Sequence, residues 1–287
     1  MKILARAKIN IVLRVLYRRS DGYHEVESIM QTVGLADAIE LTPNSRGTIR
    51  LECSTTDTGL VKDNLAFRAA RLFLSHQGIA RGVDIELKKS IPIGGGLGGG
   101  SSDAAAVLLG LNRIFKTELP VEVLRVMAAE LGSDVPFFIG GGTALVTGRG
   151  ERITPLPFVG NMFILLINPG FSVSTAMVYS SLNLDLTTPE RVHNILPVFS
   201  RGNVPLVDVK AAVQNDLQAT VVRLYPQIAG ILDWFREHDA VCAAVSGSGG
   251  TVFGIFHDRD RAIRAADDAQ RMFPWCVLTE TVADYGF

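Results

Sequence analysis

The chain has 287 residues, enough for two domains with separate cores, and its 47% hydrophobic to 20% charged balance excludes a disordered or fibrous protein. Lys and Arg number 28 against 29 Asp and Glu, and a net charge of −1 supplies no global field for nucleic acid or an anionic membrane. Cys53, Cys242 and Cys276 are far apart without zinc spacing, which points to reduced thiols and a cytoplasmic setting.

From Ile3 to Val15 every odd position is apolar, while Lys2, Arg6, Lys8, Asn10 and Arg14 occupy even ones. That period of two is a strand, with Lys8 and Asn10 on one face; for an arbitrary strand such a face is solvated. Charge interrupts the apolar residues of Met1–Lys8 too early for a signal peptide, and no apolar run reaches membrane-spanning length. A turn at Asp21-Gly22 then presents Tyr23 and His24 in a loop. Val83, Ile85 and Leu87 alternate with Asp84, Glu86 and Lys88 as a half-buried strand, and a glycine-rich segment, Pro92–Ser102, follows. Ser101 and Ser102 suit the cap of a helix whose interior starts at Ala104 and runs through Leu111. Leu124, Met127, Ala128 and Leu131 give residues 121–131 a helical apolar face. Asp134 comes next, among Val135, Phe137 and Phe138, an apolar junction that partly desolvates it; capping the next short helix is its structural alternative.

Gly148, Gly150, Pro155, Pro157 and Gly160 punctuate the chain near 150–160. Beyond them the patterns predict a strand at 163–167, a helix from Ser174, helical pattern at 188–198 and a helix at 226–238. Strands at 240–245 and 251–256, a helix at 259–272 and a strand at 275–282 follow. This is a ferredoxin-like βαββαβ order with a helical insertion, in an α+β chain.

Six of the seven residues from Gly94 to Gly100 are glycine, between a strand and a helix N-terminus. Backbone without side chains comes close to a ligand there, and the free amides of a first helical turn favour an anion such as phosphate. No Gly-Lys-Ser/Thr closes the loop as in a Walker A motif. A dinucleotide fingerprint wants an acid ending the next strand about 20 residues on, and Glu118 stands in a loop instead. The His-Arg-Asp and Asp-Phe-Gly motifs of protein kinases are absent.

Pro92–Ser102 resembles the central motif of the GHMP small-molecule kinases. Ala7-Lys8-Ile9-Asn10 and Val245–Phe253 resemble that family's other two motifs, in the expected order. Asp21–Glu25, Asp63-Asn64-Leu65, Leu131–Phe138 and Asn215-Asp216-Leu217 are similar to one branch of it, whose substrate is a cytidine diphosphate-linked polyol. The matches run from residue 5 to about 256, departing from the usual pattern at Arg6 and Gly250.

The resemblance implies a two-domain GHMP kinase architecture: an ATP-binding domain over 1–155, a ferredoxin-like domain over 156–287, and an active site in the cleft between them. It implies ATP as co-substrate with Mg²⁺, although no carboxylate cluster in the sequence identifies metal ligands. Asp134 would be the general base and Lys8 its catalytic partner, a short cast that suffices because phosphoryl transfer is mostly positioning and electrostatics. Pro92, Ile93, Gly94, Gly95, Gly96, Leu97, Gly98, Gly99, Gly100, Ser101 and Ser102 would wrap the phosphates. Asn64, Leu65, Lys89 and Asn112 fall at the adenosine end, with a polar helix terminus as the alternative for Asn112. Asn10 would contact the diphosphate or polyol, Tyr23 would stack on cytosine and His24 would bond its edge. Thr175 and Tyr179 share a helix face, and Tyr179 either closes the other side of the base or packs in a core. Another GHMP kinase with a polyol or mevalonate-type substrate, and a non-catalytic sensor, stay open as alternatives.

Overall fold

The computed structural model describes residues 1–55, 60–182 and 196–283. Strands β1 (Lys2–Arg18) and β2 (His24–Asn44) form a long antiparallel ribbon, followed by β3 (Ile49–Cys53). Helix α1 (Leu65–His76), β4 (Gly82–Lys88), α2 (Gly99–Ile114), α3 (Val121–Leu131) and α4 (Phe137–Gly140) come next, then a hairpin of β5 (Thr143–Gly148) and β6 (Arg152–Leu156). The second half contains β7 (Phe163–Asn168), α5 (Thr175–Ser180), α6 (Leu196–Phe199), α7 (Leu206–Ala212), β8 (Gln214–Asn215), α8 (Gln218–Leu224) and α9 (Gln227–Glu237). Strands β9 (Cys242–Val245) and β10 (Val252–Phe256), helix α10 (Arg259–Met272) and β11 (Trp275–Glu280) end it. Of the helical pattern expected at 188–198, residues 188–195 lie outside the described residues.

The first sheet has the path β3-β4-β2-β1-β8, with β5 and β6 branching from β2. The second runs β11-β7-β10-β9, entirely antiparallel, which is the ferredoxin-like order. Three cores stack through the molecule. Helices α1–α4 cover one face of the first sheet with Phe73, Leu108, Phe137 and Phe138. Ile9, Ile11, Ile29, Leu166, Phe253 and Ile255 fill the space between the sheets. Helices α8, α9 and α10 cover the far face of the second with Val221, Phe235 and Ala266. Each Val, Leu, Ile or Phe among these contributes about 1.5–3 kcal/mol on burial.

This stacking corrects the expectation of a uniform alternation along β1. A register shift between Arg6 and Lys8 re-aims the strand, as a bulge does. Ile3 and Ala5 therefore pack with the helices, whereas Ala7, Ile9 and Ile11 pack between the sheets. Lys8, Asn10 and Arg14 are themselves buried, so the polar face is no solvated exterior.

Helix α2 also begins earlier than its serines suggested. Gly98, at φ +72°, is the N-cap, and Ser101 and Ser102 lie inside the first turns. Ser102 is fully buried and its hydroxyl donates to the Arg6 carbonyl at 2.6 Å, tying α2 to β1.

Candidate active site

Two cavities meet where β1, the glycine segment, the α3–α4 junction and the β5–β6 turn converge. The first, about 430 Å³, is lined by Lys8 and Asn10, by Asn64 and Leu65, by Lys89 and by Pro92 through Ser101. The second, about 710 Å³, is lined by Tyr23, His24, Thr175 and Tyr179. Asp134, Arg149, Thr175, Tyr179 and Val26 face both, so the two spaces form one continuous cleft.

Lys8 stands at the first cavity's inner wall, buried, with Nζ donating to Asn10 Oδ1 at 2.5 Å and 3.7 Å from Asp134 Oδ2. Asn10 donates in turn to Ser28 Oγ at 2.8 Å, which donates to the Val12 carbonyl at 2.6 Å. This chain fixes the Asn10 amide and holds its oxygen toward the ammonium. Burial pushes the Lys8 pKa below the ordinary lysine value, against the opposing pull of Asp134. Asp134 itself remains about one-third exposed while Val135, Phe137 and Phe138 turn into the core. It does not cap α4, whose first flanking residue is Pro136. A carboxylate open to the cleft, beside a buried cation, is suited to accept a proton from a bound hydroxyl.

The glycine segment is wedged between the halves of the molecule, and this changes the reading of its composition. Thr251 N donates to the Gly95 carbonyl, Val173 N to that of Gly94, and Ser246 Oγ to that of Gly96. Gly96 has φ +78°, and a Cβ there would lie 2.0 Å from the Ser246 carbonyl oxygen. At Gly98 a Cβ would meet the Phe138 ring at 2.7 Å and the Lys8 side chain at 3.3 Å. Close approach of neighbouring protein atoms by itself demands these two glycines. Gly100 differs: its backbone is helical, and a Cβ would meet only Leu65 Cδ1, at 3.6 Å.

Asn215 shapes the opposite rim. Its Nδ2 donates to the Val245 and Gly247 carbonyls at 2.8 and 2.7 Å, fixing the turn between β9 and β10. Asp216 accepts from Val15 N at 3.0 Å and anchors the same segment to β1. Ser248, on that turn, bonds Thr175 at 2.8 Å.

Two expected positions, Asn112 and Ser102, lie off the first cavity, and a third, Lys89, lies on it with partners of its own. Lys89 does line the first cavity, but its ammonium is held by two buried carboxylates, Asp37 at 2.5 Å and Asp103 at 2.7 Å. Asn112 does not line it. Its amide spans the loop after α2, donating to the Leu119 carbonyl and accepting from Leu119 N and Thr117 Oγ1. Ser102 is not among the lining residues either, being spent on Arg6.

In the second cavity the His24 and Tyr179 rings lie 5.2 Å apart at 30°, in contact, so no base fits between them. Tyr23 is 53% exposed, and the Arg149 guanidinium sits over one of its faces at 4.9 Å. Burial lowers the His24 pKa, with Arg18 adding to the effect, so the ring is neutral at pH 7 and offers one donor and one acceptor. Burial raises the Tyr179 pKa, keeping its hydroxyl protonated. Arg149 lines both cavities, and its one signal in the sequence is its place between Gly148 and Gly150 in a tight turn. Among the described residues no group of three His, Cys, Asp or Glu side chains forms a metal cage, and no helix is long and apolar enough to cross a membrane.

A strand-mounted lysine opposite a carboxylate, beneath a glycine segment leading into a helix, is an arrangement suited to phosphoryl transfer onto a small hydroxyl compound. Residues 64–142 match the model of the GHMP kinases N terminal domain and residues 202–274 that of the GHMP kinases C terminal domain. A 4-diphosphocytidyl-2-C-methyl-D-erythritol kinase of Syntrophus aciditrophicus is 41% identical over 97% of this chain and 98% of its own. The crystal structure of a 4-(cytidine 5'-diphospho)-2C-methyl-D-erythritol kinase superposes with a TM-score of 0.83 at 35% identity, over 98% of this chain and 99% of that one. A homoserine kinase from Cytophaga hutchinsonii, 18% identical, shares the fold with a TM-score of 0.78 over 99% of this chain and 95% of that one. The chain belongs to the GHMP kinases, in the 4-diphosphocytidyl-2-C-methyl-D-erythritol kinase family.

Proposed function

We propose that the protein transfers the γ-phosphoryl group of ATP to the C2 hydroxyl of 4-diphosphocytidyl-2-C-methyl-D-erythritol, a step toward isoprenoid precursors outside the mevalonate route. The observation that carries this reading is the Lys8–Asp134 pair at the junction of two cavities, one floored by the glycine segment and one walled by aromatic rings. ATP enters the first, its phosphates along Pro92–Ser101 and its adenosine toward Asn64 and Leu65. The cytidyl end enters the second, against Tyr23 and the His24–Tyr179 pair. Asp134 takes the hydroxyl proton as the phosphoryl group transfers, and Lys8 holds Asp134 and the developing charge in place. Arg149, the cation facing both spaces beside Tyr23, is placed to meet the diphosphate between base and polyol.

Mg²⁺ travels with the nucleotide. It usually keeps several waters and binds through substrate phosphates with few protein ligands, a demand met without a carboxylate cage. The three free cysteines fit a reducing cytoplasm. A division near residue 156 suits the strands, since β1–β6 build the first sheet and β7 and β9–β11 the second, with β8 reaching back across.

The test is ADP release measured with the cytidyl substrate, mevalonate, homoserine and galactose side by side. Turnover with the first alone is expected; comparable turnover of mevalonate, homoserine or galactose would overturn the substrate assignment, and a fifth arm with free methylerythritol that turned over comparably would remove the cytidine pocket from the reading.

A further inference from the structure

Beneath the glycine segment lie two carboxylates and one ammonium. Asp37, on β2, is fully buried and accepts three hydrogen bonds: from Lys89 Nζ at 2.5 Å, Ser90 N at 2.5 Å and Ile91 N at 2.9 Å. Asp103, in the second turn of α2, is 2% exposed and accepts from Lys89 at 2.7 Å through Oδ2. Its Oδ1 is buried with no hydrogen-bond partner. The group borders the phosphate cavity: Lys89 and Asp103 both line it, and a Cβ on Gly99 would stand 3.2 Å from Lys89 Nζ. Nothing in the proton-accepting role of Asp134 uses these residues.

With both carboxylates ionised, one cation serves two buried anions and the group carries a net charge of −1 under the phosphates. Two carboxylates sharing a site resist double ionisation, and the one with fewer donors is the one to be protonated. Asp103, with one donor and a bare oxygen, is that partner. Desolvation and Asp37 push its pKa up, against Lys89, to about 7. The other charged groups facing this cavity are Lys8 on β1, Asp63 ahead of α1, Asp134 and Arg149, and none of them hydrogen-bonds Asp103.

We propose that nucleotide binding is coupled to uptake of one proton by Asp103, which neutralises the Asp37–Lys89–Asp103 group as the phosphates settle above it. The proton comes from solvent and adds to the free oxygen. Asp103 thereby acts as a positioning residue: in its neutral form it leaves the Lys89 charge balanced by Asp37 alone and removes a like charge from beneath the ligand. By reciprocity, protonation strengthens nucleotide binding as much as nucleotide binding strengthens protonation. The inference rests on the assignment of the first cavity to ATP.

Isothermal titration of the full chain with a non-hydrolysable ATP analogue and Mg²⁺, from pH 6 to pH 8, tests it. A site titrating at about 7 in the free protein and held protonated in the complex raises Kd about tenfold across that range. Runs in two buffers of different ionisation enthalpy should report uptake of about three-quarters of a proton at pH 7.5. Asp103→Asn, a neutral isostere, should abolish both effects and bind at pH 8 as tightly as the wild type does at pH 6. The ligand's own ionisation is common to both proteins and cancels between them. If Asp103→Asn fails to fold, ¹³C-carboxyl NMR of the wild-type protein with and without the analogue reads the same proton directly. Binding with equal pH dependence in wild type and variant, or an Asp103 carboxyl signal unmoved by nucleotide, overturns the coupling alone. Absence of nucleotide binding at any pH overturns the ATP assignment as well.

Discussion

Gly96 and Gly100 separate two uses of glycine in one loop. A methyl group at Gly96 requires a left-handed backbone, worth about 1–2 kcal/mol against an L-residue. It also meets the Ser246 carbonyl at 2.0 Å, where neither backbone has room to move, and such overpacking costs about 1–3 kcal/mol. Gly96→Ala should therefore lose roughly 2–5 kcal/mol. The shift is about 2–4 °C per kcal/mol for 150–250 residues and somewhat less for this longer chain, so the melting temperature should fall by roughly 3 °C or more. Gly100→Ala is the converse. Its helical backbone and open surroundings predict a gain of about 0.4–1 kcal/mol from the stiffer unfolded chain. Its methyl group, however, enters the space assigned to phosphate. Displacement of the ligand by 1–3 kcal/mol is about a 5- to 150-fold rise in KM for ATP at 1.4 kcal/mol per decade. Differential scanning fluorimetry and initial rates at varied ATP measure both. A Gly100→Ala protein that is more stable and binds ATP like wild type would show that the phosphates do not lie over the first turn of α2. A Gly96→Ala protein with an unchanged melting temperature would refute the docking argument.

Asp134→Asn should lower kcat about 10²–10⁴-fold with the circular dichroism spectrum unchanged, and retention of more than a tenth of wild-type kcat would exclude it as the base. Tyr23→Ala should raise KM for the cytidyl substrate, since stacking on a base is worth about 1–3 kcal/mol, and leave KM for ATP alone; matched losses for both substrates would point to general damage. Asn215→Ala removes two buried donors and the support of the β9–β10 turn, and denaturant unfolding should show a loss of about 2–4 kcal/mol. His24 has a folded-state pKa below its unfolded value near 6.5, so the unfolded chain takes up the proton first as pH falls. Its contribution is intact above that value and is lost as pH drops through it toward the folded pKa. The melting temperature of His24→Gln should accordingly decline less than that of wild type between pH 7.5 and 5.5, and parallel declines would remove His24 as the titrating group.

Much of this site is local in the chain and was legible there. Period two put Lys8 and Asn10 side by side, and the structure joins them by a hydrogen bond. The order of elements after residue 160 yielded the ferredoxin-like half, because each strand and helix there has its own pattern. What was not legible depends on partners distant in sequence. Lys89 looked available for a ligand because Asp37, 52 residues away, leaves no mark on its neighbourhood. The bulge at Arg6–Lys8 arises only in register with β2, so the alternation appeared unbroken. Asn112 carries a side chain equally suited to ligand or loop, and only the fold of residues 115–119 decides. Six glycines signalled an anion site while several were serving the opposite half of the molecule. That surface, built by residues 172 and 246–251, lies far along the chain.

The β1–β2 ribbon has one more consequence, for length. It carries Asn10 and its register partner Met30 near the reacting end, and His24 at the tip. From Met30 to His24 the strand covers roughly 20 Å at about 3.3 Å per residue. The two ends belong to one continuous hydrogen-bonded element, so their separation is set by the backbone itself. On the reading proposed above, with the polyol at Asn10 and the base at His24, the ribbon acts as a gauge, and a short polyol would meet one end only. Discrimination among acceptors would then include a length, which inserting two residues into each strand of the ribbon would change.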